Sequence, residues 1–297
     1  ALAQDWPARP VRVIVAAPAG SGSDIIGRVV THELTSALKQ PFVIDNKPGA
    51  LGAIANDAGA KATPDGYTLL FSFSSAIAVN HTLQPKLPYD ALRDLVPVVQ
   101  VGSVSNLILV APDFPVHNVK ELVQKAGEQP GLQYGSWGVG SGGHLSMEHL
   151  ALQTNTRFVH VPYKGTPTAF ADVMNGSLQV TTSDSASSRA LIAAGKLRPI
   201  AAIGSRRVPA LPDVPTMTEQ GYPFEADGWY GFFVPTHTPR AVVDRLNAEV
   251  NRILARPEIR EKLRANNVID TPATTPEQFA AMIRKDIGIW GEVIRKG

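Results

Sequence analysis

Residues 17–24, APAGSGSD, and residues 134–144, YGSWGVGSGGH, are glycine- and serine-rich turns that each lead from a strand pattern into an amphipathic helix pattern. Such a turn exposes backbone N–H groups and adds the positive end of a helix dipole, so it favours binding of an anion. More than a hundred residues separate the two turns. This arrangement predicts that one small acid is held from two sides, in a cleft between two domains.

Strand and helix patterns alternate along the rest of the chain. Runs of β-branched and aromatic residues predict strands at 11–16, 42–44, 67–73, 132–134, 158–161, 178–182 and 199–203. Helical spacing of apolar residues predicts a helix at 25–38, with Ser23 or Asp24 as its N-cap, and further helices at 53–62, 119–126, 145–152, 167–174, 187–194, 239–254 and 276–294. This alternation is typical of parallel α/β sheets, where ligands bind at the carboxyl ends of strands. Both turns lie at such ends.

Two β-type stretches contain a glycine in their middle. Residues 98–110 include Gly102 and Ser103, and residues 229–234 include Gly231. Breaks of this kind predict strands that pass from one sheet to another. We therefore expect a discontinuous first domain of residues 1–103 and 231–297, and a second domain of residues 104–230 inserted into it.

Composition narrows the possible functions. The net charge is +2, only 18% of the residues are charged, and Lys and Arg form no stripe, so no nucleic-acid partner is expected. No apolar run approaches the ~20 residues of a membrane span. Cysteine is absent, which excludes disulfides, thiolate chemistry and a lipidated cysteine. Residues 1–3, ALA, are typical of the end of a cleaved secretory signal peptide, which predicts a periplasmic protein.

Besides the two turns, short motifs occur at 45–50 (DNKPGA), 64–69 (PDGYTL), 160–165 (HVPYKG), 195–198 (GKLR), 211–216 (LPDVPT) and 229–231 (WYG). Together these motifs, which extend across almost the whole chain, resemble those of the periplasmic solute-binding proteins of tripartite tricarboxylate transporters, the TctC or Bug family. The resemblance implies a type II periplasmic binding-protein fold, in which two Rossmann-like domains joined by two crossing strands close on a small carboxylate. It also implies that backbone groups and ordered water from the turns of both domains hold one carboxylate. Ser21, Leu51 and Ser183 depart from the family's usual residues, so the resemblance does not indicate a particular ligand.

The expected ligand contacts lie on the two turns and at nearby strand ends. We expect Tyr163 to engage the ligand and the Lys164 side chain to stay solvated. Asp184 either receives a hydroxyl or amine of the ligand or caps the helix that follows it, and His144 either caps a helix or contacts the ligand. The full candidate set is Ala19, Gly20, Ser21, Gly22, Ser23, Asp24, Ser74, Ser75, Asn80, Trp137, Gly138, Ser141, Gly142, His144, Tyr163, Lys164, Gly165, Thr166 and Asp184.

Neither a cofactor nor a metal is expected. Residues 138–143, GVGSGG, match the dinucleotide-binding pattern G-x-G-x-x-G, but the acidic residue that should follow about 20 positions later is missing. Residues 144–149, HLSMEH, match neither metalloprotease spacing and have no evident third ligand.

These observations predict a solute-binding protein rather than an enzyme. We expect a monomer that captures a small mono-, di- or tricarboxylate and delivers it to the membrane permease components of a tripartite transporter. A ligand sensor for a membrane signalling protein is an alternative that the sequence does not separate from transport. A hydrolase using Ser136 or Ser141 with His144 is less favoured, because no G-x-S-x-G elbow occurs and no acid is placed by motif to orient the histidine.

Overall fold

The computed structural model describes residues 6–84, 86–204, 206–224 and 227–296. The proposed signal-peptide remnant at residues 1–3 lies outside the described residues. The strands are β1 (Val11–Val15), β2 (Phe42–Asn46), β3 (Thr68–Phe73), β4 (Leu95–Val104), β5 (Asn106–Val110), β6 (Leu132–Ser136), β7 (Phe158–Pro162), β8 (Val180–Asp184), β9 (Arg198–Ile203), β10 (Gly228–Pro235) and β11 (Val268–Asp270).

Helices follow most of the strands. They are α1 (Gly22–Leu38), α2 (Ala53–Ala60), α3 (Asn80–Leu83), α4 (Val119–Glu128), α5 (Gly142–Thr154), α6 (Thr166–Met174), α7 (Ser185–Ala193), α8 (Arg240–Ala255), α9 (Pro257–Ala265) and α10 (Pro276–Lys296). A 3₁₀ turn at Ala50–Gly52 precedes α2, and a π-helical turn at Ser75–Val79 follows β3. The N-cap of α1 is Ser21, whose side chain accepts the Asp24 N–H, and not Ser23 or Asp24 as predicted.

The strands form two sheets, which confirms the predicted mixed α/β architecture. The first sheet has the order β11-β4-β10-β3-β1-β2, and the second has the order β7-β6-β8-β5-β9. Strands β1, β2 and β3 are parallel, as are β6, β7 and β8, whereas β10 runs antiparallel to its two neighbours. The carboxyl ends of β1, β3, β6 and β8 each lead into one of the polar turns predicted from the sequence.

Each sheet is covered by helices on both faces. In the first sheet, α1 and α8 bury Ile26, Val30 and Leu246 on one face, and α10 buries Phe279 and Ile283 on the other. In the second sheet, the apolar residues of α4 and α5 form one core, and those of α6 belong to another. The chain thus forms two packed units with an intervening cleft, and Val79 and Trp290 of the first unit join the core of the second sheet.

The passage between the sheets differs in place from the prediction. The chain leaves the first sheet at Ser105, between β4 and β5, and not at Gly102–Ser103. Among the described residues, the strand containing Gly231 pairs with β3 and β4 of the first sheet and with no strand of the second, so the return occurs in the segment between β9 and β10. The two glycines serve packing instead: a Cβ at Gly102 would collide with Val268, and one at Gly231 would collide with Phe279.

Candidate functional site

A cavity of about 310 Å³ lies between the two sheets, where both sets of polar turns converge. Its volume is at the lower end of the ~300–1,000 Å³ that is usual for small-molecule sites. The predicted residues that line it are Ser21, Gly22, Ser23, Ser74, Ser75, Trp137, Gly138, Tyr163, Lys164, Gly165, Thr166 and Asp184. The structure thus brings together residues from five separate turns around one space.

Several predicted residues lie outside this lining and support the turns instead. These include Ala19 and Gly20, and Asp24, which accepts hydrogen bonds from the Gly20 N–H at 3.0 Å and from Arg28 and Asn46. Burial opposes ionisation of Asp24, but the hydrogen bonds from Arg28, Gly20 and Asn46 outweigh it and lower the pKa of this carboxyl. Asp24 therefore stays ionised and fixes the conformation of the first turn.

Four more predicted residues have structural partners around the second turn. Asn80 donates from Nδ2 to the Leu51 carbonyl oxygen at 3.0 Å. Ser141 caps α5 by accepting the His144 N–H at 3.1 Å, and the His144 Nδ1 atom accepts the Gly140 N–H at 3.2 Å. Gly142, the first residue of α5, also lies outside the cavity lining.

The first amide of each turn's helix is paired across the cleft. The Gly22 N–H, at the start of α1, donates to Ser187 Oγ of α7 at 2.6 Å. The Gly142 N–H, at the start of α5, donates to Ser75 Oγ, which follows β3, at 3.1 Å. Each sheet therefore supplies one serine that closes the helix N-terminus of the other. In this structure neither amide is left open for a ligand.

Asp184 links the two sides of the cavity. Its carboxylate caps α7, accepting the Ser187 N–H at 2.9 Å and the Ser187 hydroxyl at 2.5 Å, and it also accepts the hydroxyl of Tyr230 from β10. Burial raises the pKa of Asp184, against the effect of these hydrogen bonds. A Cβ at Gly22 would collide with the Asp184 carboxyl and the Tyr230 hydroxyl, so only glycine fits there. Of the two roles expected for Asp184, the structure shows the helix cap.

Thr166 has a buried hydroxyl without a partner at the edge of the cavity. It is the first residue of α6, is 2% exposed, and its Oγ1 atom has no hydrogen-bond partner within the described ranges. The preceding Gly165 lies so close to the Pro18 ring that a Cβ would collide with it, which sets the start of α6 against the first turn. A buried hydroxyl without a partner is uncommon in folded proteins.

Aromatic side chains form part of the cavity wall, and three of them have their polar atoms bonded to acidic side chains. The Trp229 Nε1–H donates to Asp286 at 2.6 Å, and the Tyr163 hydroxyl donates to Asp172 at 2.6 Å. With the Tyr230 hydroxyl bonded to Asp184, three polar groups are occupied by acidic side chains of the protein. These rings therefore offer mainly apolar surface to the cavity.

More than half of the residues that line the cavity are not among those predicted from the sequence. Two motifs contained a signal for some of these residues. Motif 45–50 includes Gly49 and Ala50, but its pattern predicts a turn. Motif 229–231 includes Trp229 and Tyr230, but its pattern predicts a crossing strand. The lining residues outside the candidate set are Ala16, Ala17, Pro18, Gly49, Ala50, Leu51, Gly52, Phe73, Gln84, Val104, Asn106, Val139, Gly228, Trp229 and Tyr230.

A serine–histidine pair exists, but it lies beside the cavity lining and not in it. Ser136 Oγ is 2.7 Å from His160 Nε2, and Ser141 Oγ donates to Ser136 Oγ at 2.9 Å. The expected partner His144 instead packs its ring against that of His160, 4.1 Å between centroids. Both serines are fully buried, so neither is presented to a molecule in the cavity.

Among the described residues, no group of three or more His, Cys, Asp or Glu side chains is arranged to hold a metal ion. No helix in the described ranges has the length and apolar character needed to cross a membrane.

Comparison with known proteins now defines the family. The model of the tripartite tricarboxylate transporter family receptor, TctC, matches residues 26–297. The chain belongs to this family of periplasmic solute-binding proteins. Protein BugT of Bordetella pertussis is 35% identical over 297 residues, which cover 99% of this chain and 91% of BugT.

Solved structures agree with this assignment. Rpa4515 of R. palustris with adipate has a TM-score of 0.95 at 32% identity, covering 98% of both chains. Periplasmic binding protein BugD has a TM-score of 0.91 at 30% identity, also covering 98% of both. MatC from Rhodopseudomonas palustris with bound malate has a TM-score of 0.91 at 29% identity, covering 97% of this chain and all of that one. The predicted type II periplasmic binding-protein fold is confirmed.

Proposed function

We propose that this TctC-family protein works in the periplasm as a monomer, capturing a small carboxylate in the cavity and delivering it to the membrane permease of a tripartite transporter. It acts by binding and release, not by catalysis. The carboxylate ligands named for Rpa4515 and MatC support the ligand class. We further propose that the two sheets mark two domains close to the expected limits of 1–103 with 231–297 and 104–230, with the boundaries moved to Ser105 and to the segment between β9 and β10, where the chain changes sheet.

The observation that carries the proposal is the unpaired Thr166 hydroxyl. It stands at the N-terminus of α6, beside the turn that opens α1, so two helix dipoles favour negative charge at this point. A carboxylate oxygen accepts the threonine hydroxyl and nearby backbone N–H groups without needing a cationic side chain. Because Asp184 is already bonded by Ser187 and Tyr230 and its pKa is raised by burial, its repulsion of the bound anion is reduced.

The energies are sufficient for a transport receptor. Hydrogen bonds to a charged group contribute about 1.5–3 kcal/mol each. Four to six such bonds must first offset association costs of about 4–15 kcal/mol. Micromolar binding requires a net free energy of roughly 8 kcal/mol, which remains only when the cavity is preorganised and the cost is therefore low. The pairing of Gly22 with Ser187 and of Gly142 with Ser75 supplies such preorganisation.

Replacement of Thr166 by valine tests the proposal. Thr166→Val keeps the side-chain shape and removes the donor, so affinity for a bound carboxylate should fall by about 10- to 100-fold, as expected for one hydrogen bond to a charged group. Thr168→Val is the control, because this exposed residue of the same helix does not line the cavity. Calorimetry with small carboxylates measures both. Equal affinity of Thr166→Val and the unmodified protein would place the carboxylate elsewhere.

A further inference from the structure

Two histidine rings are hydrogen-bonded to the second glycine-rich turn, residues 136–141. His144 of α5 accepts the Gly140 N–H at its Nδ1 atom, 3.2 Å away. His160 of β7 has its Nε2 atom 2.7 Å from Ser136 Oγ. Both histidines lie outside the cavity lining. Three residues of the turn do line the cavity: Trp137, Gly138 and Val139. The two rings therefore contact a turn that forms part of the cavity wall.

The hydrogen bonds of Ser136 determine which nitrogen of His160 carries the ring proton. A hydroxyl has one hydrogen and two lone pairs. Ser136 Oγ accepts the Ser141 hydroxyl at 2.9 Å and the Gly138 N–H at 3.2 Å, which uses both lone pairs. A proton on His160 Nε2 would give Ser136 a third donor, so Nε2 must accept the Ser136 hydrogen, although the Gly138 carbonyl oxygen is also within reach at 3.0 Å. His160 is therefore neutral, with its proton on Nδ1.

The same reasoning assigns the proton of His144. Because its Nδ1 atom accepts the Gly140 N–H, the ring proton lies on Nε2, which is 3.9 Å from Glu148 Oε1. Tyr134 of β6 stacks on His160 with 5.1 Å between ring centroids and donates its hydroxyl to Glu148 at 2.9 Å. Burial lowers the pKa of both histidines, and the charge of Glu148 acts in the opposite direction on His144.

Protonation of either ring is incompatible with these hydrogen bonds. A proton on His144 Nδ1 would face the Gly140 N–H. A proton on His160 Nε2 would force Ser136 Oγ to give up one of the two donors that it accepts. One of those donors is the Ser141 hydroxyl, whose oxygen caps α5 by accepting the His144 N–H. Each protonation would therefore release part of the turn.

We infer that His144 and His160 are positioning residues for ligand binding: their unprotonated nitrogens hold the 136–141 turn in the conformation that completes the cavity wall, and protons bound there compete with a bound carboxylate. This inference rests on the proposed function, since it takes the cavity to be the carboxylate site. Neither ring contacts the ligand. Acidification weakens binding through the turn, in addition to any titration of the acid itself.

Two kinds of substitution separate the hydrogen bonds from the charge, with adipate and malate as probes in calorimetry. His144→Asn and His160→Gln keep an acceptor near the ring nitrogen and do not titrate, so at pH 7 their affinity should stay within about threefold of the unmodified protein. His144→Leu and His160→Leu remove the acceptor and should weaken binding by about 2- to 10-fold, the effect of one hydrogen bond. If the folded leucine variants bind as tightly as the unmodified protein, the histidines do not position the turn.

The pH dependence of affinity is a readout that a purely structural role would not change. Because burial and the nearby His144 lower the pKa of His160 to about 4, this ring alone should reduce affinity about twofold at pH 4. Between pH 7 and pH 4 the unmodified protein should therefore lose at least about twofold more affinity than the double variant His144→Asn with His160→Gln.

Ionisation of the acid cancels in this comparison, because both proteins bind the same acid, and circular dichroism at each pH restricts it to folded protein. Exposed His32→Gln is the control and should follow the unmodified protein. Equal pH profiles of the unmodified protein and the double variant would overturn the inference.

Nitrogen NMR of the imidazole rings tests the proton positions without any ligand. At pH 7, His144 should carry its proton on Nε2 and His160 on Nδ1. The opposite position on either ring would overturn the inference and leave carboxylate capture standing. Failure of both adipate and malate to bind, with both protons placed as expected, would instead overturn the proposed function, and the inference that rests on it.

Discussion

His144 and His160 lie with their rings 4.1 Å apart beneath the second glycine-rich turn. Burial lowers the pKa of both, and the neighbouring charge of His144 contributes to lowering that of His160 to about 4. In the unfolded chain a histidine titrates near 6.5. Both rings are therefore neutral in the folded protein at neutral pH, and protonation favours the unfolded state.

The pair should make the protein sensitive to acid. Because the folded pKa is the lower one, stability is complete above about pH 6.5 and is lost as the pH falls toward about 4. His160→Gln can keep a hydrogen bond to Ser136 and should remove about 1–2 kcal/mol of this loss, after allowance for partial exposure. Denaturant unfolding between pH 7 and 4 measures it, with exposed His32→Gln as control. Parallel pH profiles of His160→Gln and the unmodified protein would disprove the role.

Side-chain roles were the part that sequence predicted least well. The spacing placed Ser136, Ser141 and His144 in one turn, but the partner of Ser136 is His160, which comes from the adjacent strand β7. Likewise, Asp184 could be seen as a polar residue after a strand, while its bond to Tyr230 depends on how β10 packs across the cleft. Such contacts depend on tertiary packing, which local patterns do not encode.

At the scale of helices and strands, the order of elements follows from residue periodicity. The apolar stripe of α8, with Val242, Leu246 and Val250, is buried as its spacing predicts. Glycines inside strands were harder, because a glycine signals either a break or a close approach of another element. Gly102 and Gly231 belong to the second kind, since β11 and α10 pack against them. Local sequence patterns do not show where β11 and α10 pack.

Gly231→Ala should therefore destabilise the first sheet. A Cβ there would collide with the Phe279 ring and would lie 3.0 Å from the Val99 carbonyl oxygen, which costs about 1–3 kcal/mol as overpacking of a core. Gly127→Ala is the comparison: it lies in α4 with open space around it and should stabilise by about 0.4–1 kcal/mol. Urea unfolding of both variants decides the point. A neutral Gly231→Ala would mean that α10 adjusts at little cost.

For the whole molecule, the two-unit architecture could be predicted because each glycine-rich turn ends a strand of a different sheet. What sequence did not predict is how the units are joined across the cleft. Three hydrogen-bonded pairs link the unit of the first sheet to the unit of the second sheet: Gly22 with Ser187, Gly142 with Ser75, and Asp184 with Tyr230. These hydrogen bonds exist only while the two units are together. They therefore add to the stability of the closed arrangement in addition to any ligand.

Removing the two serine hydroxyls should favour separation of the units. Each neutral hydrogen bond contributes about 0.5–1.5 kcal/mol, so Ser75→Ala with Ser187→Ala should weaken ligand affinity by about 5- to 100-fold through a smaller closed population. The midpoint of thermal unfolding without ligand should change little, because neither core is altered. Solution scattering should show a larger radius of gyration for the double variant without ligand, and a decrease when a carboxylate is added. Ser36→Ala removes an exposed hydroxyl that donates to the His32 carbonyl oxygen within α1, and it serves as the control. If the double variant has the radius of gyration and the affinity of the unmodified protein, closure does not depend on these serines.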